Sequence, residues 1–580
     1  MNQRRRNSLS SISGASTLGA LVAVAFMILC AVLIWIKARE GRTAGPAGSG
    51  GDRTSAPAGD AVEIAFYSSS AKKSWIDEMV RSFHESKASV AGRPVRVKVF
   101  HVNSGESLDQ MKEGKIQPDL WSPGDDSWLD LAAEHWRLAK QKTLFSQPRA
   151  LVDVPLVVAM WEPMARAMGY PKPIGWKEIA KLAANPRGWE SLGHPEWGKF
   201  RWGHAHPDAN SGFLTVLSLV SAATRKTEGL TVEDLSRPDV KAFVRDLERR
   251  VEHYGLSNSW IDDMMRAKGP SYLSAAAQYE NTIIESNEKS QNKPLKLVAI
   301  YPTEGTFWTT HPAAVVQEAW TTPEKAEAAG KLVDFLLGPA AQKRAMELGL
   351  RPVARDTVLA SPFDEQHGVD PKAASDRRFK VPGEKVLRRV LELWEEVKVP
   401  ATVVLVLDRS GSMKGSPMDN AKEGAVQFVK SMKPRDALEV VVFSTGITTL
   451  VPLCSVRECG EQAIERLGGI FAEGGTALYD VVSQTYRDLL ERRRKDPERR
   501  YGVIVLTDGR DTSSKASKND FMDALPAGED WDVPKIYTIA YGAEADRALL
   551  KEISLRTNAR LFESKGEDIA KTYKELSANF

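Results

Sequence analysis

Four near-continuous apolar runs dominate the last third of the chain: "TVVLVLD" ending at Asp408, "LEVVVFS" ending at Ser444, "YGVIVLTD" ending at Asp508 and "KIYTIAYG" ending at Gly542. Each is strand-length and shows no apolar–polar alternation, so both faces of such a strand must be covered. Amphipathic stretches fit between them at "SPMDNAKEGAVQFVKSM", "TALYDVVSQTYRDLLERRRK" and "ADRALLKEISLRT". Strands alternating with helices predict an α/β domain around a largely parallel sheet, whose ligands sit outside the carboxyl ends of its strands.

The carboxyl ends in this block carry related chemistry. One is Asp408-Arg-Ser410-Gly-Ser412, a second is Thr476 in "GGTALYD" and a third is Asp508 in "VLTDGRD". A parallel sheet brings such ends to one edge, and glycines let the loop backbones approach closely. Two carboxylates and three hydroxyls form a hard oxygen set suited to Mg²⁺ or Mn²⁺ rather than zinc. The serine-rich turn alone reads equally as a helix cap; the five-position set favours a metal. Asp511 is either a neutralising acid behind the site or an exposed loop acid, and Asp480 reads as a first-turn helix residue favoured by the dipole.

These residues resemble the metal-ion-dependent adhesion site of the von Willebrand factor type A domain: DxSxS, then a threonine, then an aspartate. The resemblance covers about Pro400 to Phe580. It implies that Ser410, Ser412 and Thr476 touch the metal directly, that Asp408 and Asp508 act directly or through water, and that one metal position is left for a partner's carboxylate. No histidine lies nearby and the chain contains no G-x-S-x-G or P-loop motif, so the expected metal is adhesive and no enzyme is expected.

At 580 residues the chain is too long for one core. From Ala61 to about Val353 a second α/β pattern runs through "VRVKVF", "DLWSP", "VPLVVAM" and "KLVAIYP", with helices at "SWIDEMVRSFHES" and "AEAAGKLVDFLLG". The segments "FYSSSAKKSWIDEMVRSF", "VNSGESLDQMKEGKIQPDLWSP", "HPDANSGFLTVLSLVSAA", "AAAQYENTIIESN" and "AIYPTEGTFWTTHPAAVV" resemble the extracytoplasmic solute-binding proteins of ABC importers, type II fold, in the branch that includes molybdate and sulfate binders. That resemblance implies two lobes around a cleft, lobe I at 61–153 and 311–353 and lobe II at 154–310. The matching ligand-facing positions are Ser69, Ser70, Ser104, Ser122, Ser211 and Tyr279. Hydroxyls and N–H groups at helix starts suit an uncharged or anionic ligand, and each serine reads equally as a cap. Glu280 and Glu304 sit awkwardly beside an oxyanion and weigh against carrying over molybdate or sulfate specificity. Most of the 15 tryptophans fall in this domain, including Trp121, Trp128, Trp202 and Trp308; core packing is the main expectation, with stacking on a sugar or cation as the alternative. His204 and His206 offer a loop metal site as an alternative to ordinary packing.

The N-terminus supplies an address. Arg4, Arg5 and Arg6 precede "LGALVAVAFMILCAVLIWI", Leu18–Ile36, which carries no charge. That length spans a ~30 Å hydrocarbon layer as a helix and exceeds an ordinary secretory h-region. An uncleaved anchor is expected, with a cleaved signal as the alternative, and the arginines favour a cytoplasmic N-terminus. The expected organisation is a basic tail 1–17, a transmembrane helix 18–36, a Gly/Ser/Pro linker 37–60, the solute-binding-like domain 61–353, a charged connector 354–398 and the doubly wound, Rossmann-like A domain 399–580. Of three cysteines, Cys30 lies in the apolar segment; Cys454 and Cys459 are placed either to bridge or to remain free thiols. The net charge of +3 argues against a nucleic-acid binder.

Together these features predict a membrane-anchored protein, its bulk extracytoplasmic, that binds a small solute in a cleft and grips a protein partner through the metal. The alternative is the anchored solute donor of an importer, with the A domain docking to partner subunits. A third class, recruiting subunits of ATP-driven machines, works in the cytosol and requires the opposite topology.

Overall fold

The computed structural model describes residues 61–146, 148–290, 295–354, 357–372, 377–526, 533–564, 566–577 and 579–580. The expected tail, transmembrane helix and linker, with Cys30, lie outside them. Among the described residues no helix is long and apolar enough to cross a membrane.

The first domain contains β1 (Val62–Ser68), β2 (Ser89–Val90), β3 (Arg93–His101), β4 (Leu120–Ser122), β5 (Val152–Trp161), β6 (Trp202–Ala205), β7 (Val251–Gly255), β8 (Ala275–Tyr279), β9 (Leu297–Ile300), β10 (Trp308–Thr309), β11 (Ala314–Val315) and β12 (Arg351–Pro352). One sheet, ordered β11-β4-β1-β3-β2, has the expected parallel core of β1 between β3 and β4. Its β1 buries Val62, Ile64 and Phe66 on one face. The following helix Lys73–Glu85 buries Trp75, Ile76, Met79, Val80 and Phe83, the stripe its periodicity predicts.

The second sheet, ordered β10-β5-β8-β6-β7 with β9 and β12 also on β5, departs from that expectation. Strand β5 is antiparallel to β8, β9, β10 and β12. It carries the chain out of the first lobe while β10 carries it back, so the two crossings run side by side in opposite directions. All ten β5 residues are buried, and an apolar run of that kind does not reveal strand direction.

The C-terminal domain contains β13 (Ala401–Asp408), β14 (Ala437–Phe443), β15 (Ile447–Ser455), β16 (Arg500–Thr507), β17 (Lys535–Tyr541) and β18 (Leu561–Ser564), in the order β15-β14-β13-β16-β17-β18. All pairs are parallel except β14–β15. Strand β13 is buried along its whole length because alternate side chains feed two cores: Val403, Leu405 and Leu407 on one face, Val404 and Val406 on the other. The antiparallel edge strand β15 escapes the sequence reading because its exposure is mixed and it follows β14 after a short turn. Cys454 at its end is bridged to Cys459 in the helix Val456–Gly468.

Residues Ala61–Phe580 form one unit. The charged connector packs against the first domain through a helix at "LRRVLELWEEVK", whose amphipathic pattern the sequence carries. Its helix Glu384–Val397 buries Leu387, Val390, Leu393 and Trp394 in the first domain's core. Trp394 Nε1 donates to buried Glu248 at 3.2 Å, and Glu248 also receives Tyr254 Oη at 2.7 Å and lies 3.1 Å from His204 Nε2. From Val397 the chain needs three residues to enter β13, the strand that ends at Asp408. Ion pairs Arg249–Glu498 at 2.8 Å and Lys535–Glu252 at 3.5 Å hold the second lobe against the C-terminal domain.

Candidate functional site

The carboxyl end of β13 delivers Asp408 to the sheet edge, fully buried. Its Oδ1 accepts the Ser410 N–H at 2.8 Å and its Oδ2 accepts the Thr507 hydroxyl at 2.5 Å. The turn after it places Ser410 Oγ 3.0 Å from Ser412 Oγ, and Ser412 Oγ donates to Asp508 Oδ1 at 2.8 Å. A Cβ added at Gly509 would lie 3.7 Å from Thr476 Oγ1 and 3.9 Å from Ser412 Oγ, so the Thr476 hydroxyl borders the same spot. All five oxygen-bearing residues of the set are thus at one place, and loop backbone bonds fix it: Gly411 N–H to Gly474 O at 2.9 Å and Thr512 N–H to Thr476 O at 2.8 Å. Gly474 holds φ +79°, which favours glycine.

Two carboxylates meet here, and among the described residues no basic side chain bonds to either. Burial, helped by the neighbouring Asp508, pushes Asp408 up to about 6, and burial also raises Asp508. The adjacent Arg409 pairs with Glu473 at 2.7 Å. A hard-oxygen set that resists ionisation without a counter-charge fits a divalent cation. Asp511 is not simply an exposed loop acid: half-buried, it accepts the Tyr479 N–H at 3.1 Å and both Ser514 donors at the start of the helix Leu478–Lys495. Asp480 stands in that helix's first turn and also accepts Lys515 and Ala516 N–H groups.

The cleft lies at the meeting of helix starts. A cavity of ≈ 20 Å³ is lined by Ser69, Ser70, Ser104, Ser211 and Tyr279, together with Asn103, Asn210 and Asn258. Helices Ser104–Lys112, Asn210–Thr224, Asn258–Lys268 and Glu280–Lys289 all begin there. Ser122 does not line the cavity. It is fully buried behind it, gives its carbonyl to the Ser69 N–H at 3.0 Å, and its hydroxyl has no partner among the described residues. The lobes are closed: Asn103 Nδ2 donates to Leu256 O at 2.7 Å, Gly105 N to Asp208 O at 2.9 Å, Trp128 Nε1 to Asn210 Oδ1 at 2.7 Å and Asn281 Nδ2 to Ala71 O at 3.0 Å.

The two acids that weigh against an oxyanion are otherwise engaged. Glu280 is bound by Arg351 through two contacts of 2.7 Å. Glu304 accepts the Trp176 N–H at 2.9 Å at a helix start. His204 is spent on Glu248 and Ala205 O, and the described residues contain no cluster of three His, Cys, Asp or Glu side chains arranged for a metal. Trp121, Trp128 and Trp202 are buried, and Trp308 stacks on Arg378 of the same chain at 3.9 Å. Sequence reasoning missed Lys72 and His311, both buried beside the cleft. "SSSAKKSW" reads as two ordinary surface lysines, and no local signal distinguishes Lys72 from exposed Lys73.

Residues 64–351 match the family model described as bacterial extracellular solute-binding protein, and residues 402–575 match the von Willebrand factor type A domain. The human inter-alpha-trypsin inhibitor heavy chain H4 is 27% identical over 168 residues, covering 27% of this chain and 17% of that protein; the aligned stretch is therefore a small part of that relative. The sulfate-binding protein SubI from Mycobacterium tuberculosis superposes with a TM-score of 0.36 at 18% identity over 53% of this chain and 93% of its own. A von Willebrand factor type A structure from Catenulispora acidiphila gives 0.28 at 22% identity over 31% and 42%.

Proposed function

We propose that this chain, which joins a bacterial extracellular solute-binding domain to a von Willebrand factor type A domain, is a membrane-anchored extracytoplasmic binding protein. The cleft takes a small solute. The A domain grips a protein partner through Mg²⁺ or Mn²⁺, with Ser410, Ser412 and Thr476 as direct ligands and Asp408 and Asp508 acting directly or through water. The metal supplies an electrophilic position for a partner's carboxylate, and the chain's residues hold it without acting on it.

The observation that carries this reading is the meeting of Asp408, Ser410, Ser412 and Asp508 through contacts of 2.8–3.0 Å, with no basic side chain among the described residues bonded to either acid. The apolar segment 18–36 supports anchoring. The test is a thermal-shift screen of the fragment beginning at Ala61 against solutes, with and without Mg²⁺. Stabilisation by a solute and, separately, by Mg²⁺ is expected. Indifference to both contradicts the reading. Protease accessibility of the C-terminal domain on spheroplasts or protoplasts, whose outer layers have been removed, tests the topology, and protection there contradicts it.

A further inference from the structure

The geometry points to Lys72 as the residue that selects charge in the solute cleft, and to a small anion as the solute. This deepens the solute-binding reading above and rests on it.

Lys72 is 1% exposed. Its Nζ donates to Ser69 Oγ at 2.9 Å and to Ser122 O at 3.1 Å. Ser69 lines the cavity, so the ammonium lies one hydroxyl behind it. Among the described residues no carboxylate pairs with Lys72. A buried ammonium without a counter-charge costs several kcal/mol and is normally found paired; an anion bound above Ser69 supplies the missing charge. Burial alone lowers Lys72 to about 7, with no acid opposing it.

A second observation stands apart from the first. His311 is fully buried next to Tyr279, ring centroids 5.5 Å apart, and neither of its ring nitrogens has a partner among the described residues. It also holds φ +44°, in the left-handed region, directly after Thr310, where the chain crosses back between the lobes. An unpaired polar ring kept in a strained conformation marks a place built to meet something polar. Four helix starts at the cavity wall add N–H donors and partial positive charge. Against them, Glu280 is neutralised by Arg351. Buried Asp125 caps the helix Asp126–Lys140 through the Ser127 N–H, and burial pushes it up to about 7. The space left between the closed lobes, ≈ 20 Å³, is lined by hydroxyl and amide side chains with no carboxylate among them.

The test uses the purified protein, wild type and the variants Lys72→Met and Lys72→Arg, titrated calorimetrically with sulfate, molybdate, inorganic phosphate and acetate, beside glucose and glycine betaine. The expected result is binding of at least one of the anions by wild type. Lys72→Met should weaken it about 30-fold or more, the scale of a charge-assisted bond, with partial rescue by Lys72→Arg. Without ligand, Lys72→Met should melt at or above the wild-type temperature, since it removes a buried charge; this separates loss of binding from loss of fold. Binding of glucose or betaine by wild type in preference to the anions overturns the inference and leaves the solute-binding reading standing. An anion bound equally by wild type and Lys72→Met also overturns it. Binding of none of these probes overturns the inference as stated, and the broader solute screen then decides whether the cleft binds anything.

Discussion

Ser412 Oγ donates a hydrogen bond to Asp508 Oδ1 across 2.8 Å, joining two loop ends that are 96 residues apart in the chain. That bond brings an acid from the end of β16 to the serine turn that follows β13. It also leaves Asp508 close enough to Asp408 to raise it. Without a cation, the two acids therefore oppose each other.

Replacing Asp508 by Asn should then leave the EDTA-treated protein at least as stable as wild type, because like-charge strain is relieved. The same variant should lose most of the stabilisation by Mg²⁺. Thermal melts of both proteins in EDTA and in Mg²⁺ provide the check.

The five-residue oxygen set is legible in the amino-acid sequence because each of its loops follows a strand or a glycine pair at a short offset. Asp408 ends β13, Asp508 follows β16, and Thr476 follows two glycines. The cleft is only partly legible. Its serines announce themselves as helix starts, but Lys72 and His311 acquire their meaning from burial by distant segments. Ser122 departs from expectation for a related reason: it does stand at the end of β4, yet it meets the cleft through its carbonyl bond to Ser69 and not through its hydroxyl. Strand β15 and the short β18 carry too weak a pattern to find.

Gly124 and Asn210 meet across the closed cleft, one from each lobe. A Cβ at Gly124 would come within 2.5 Å of Asn210 Cβ. Gly124→Ala should hold the lobes apart while leaving each lobe folded. Solute affinity should fall at least about tenfold, since closure then costs roughly 1.4 kcal/mol or more, and small-angle scattering should show a larger radius of gyration with solute present than wild type has.

Arg351 in β12 and Glu280 are a buried two-pronged pair at 2.7 Å. Removing one partner leaves the other charge unpaired. Arg351→Met should destabilise the first domain by about 3–5 kcal/mol, read as a lower urea midpoint, and the double change with Glu280→Leu should recover much of that loss.

His311 gives a pH dependence with a definite sign. Burial holds it well below 6.5, so it stays neutral in the folded protein at pH values where the unfolded chain takes up a proton. Folded stability should therefore fall as the pH drops below about 6.5. His311→Gln should flatten that part of the profile in melts from about pH 7.5 to 5 without solute. A decline of the same steepness in the variant would assign it to other groups.

The most direct test of the central claim is a Mg²⁺ titration of wild type and Asp408→Ala, followed by calorimetry and thermal melting in the same buffer. Wild type should bind one equivalent and, at about 100 times the dissociation constant, gain about 2.7 kcal/mol, or roughly 5–10 °C in the C-terminal domain's transition. Asp408→Ala should show neither. A wild-type protein that takes up no Mg²⁺ or Mn²⁺ and melts identically in EDTA would contradict the account.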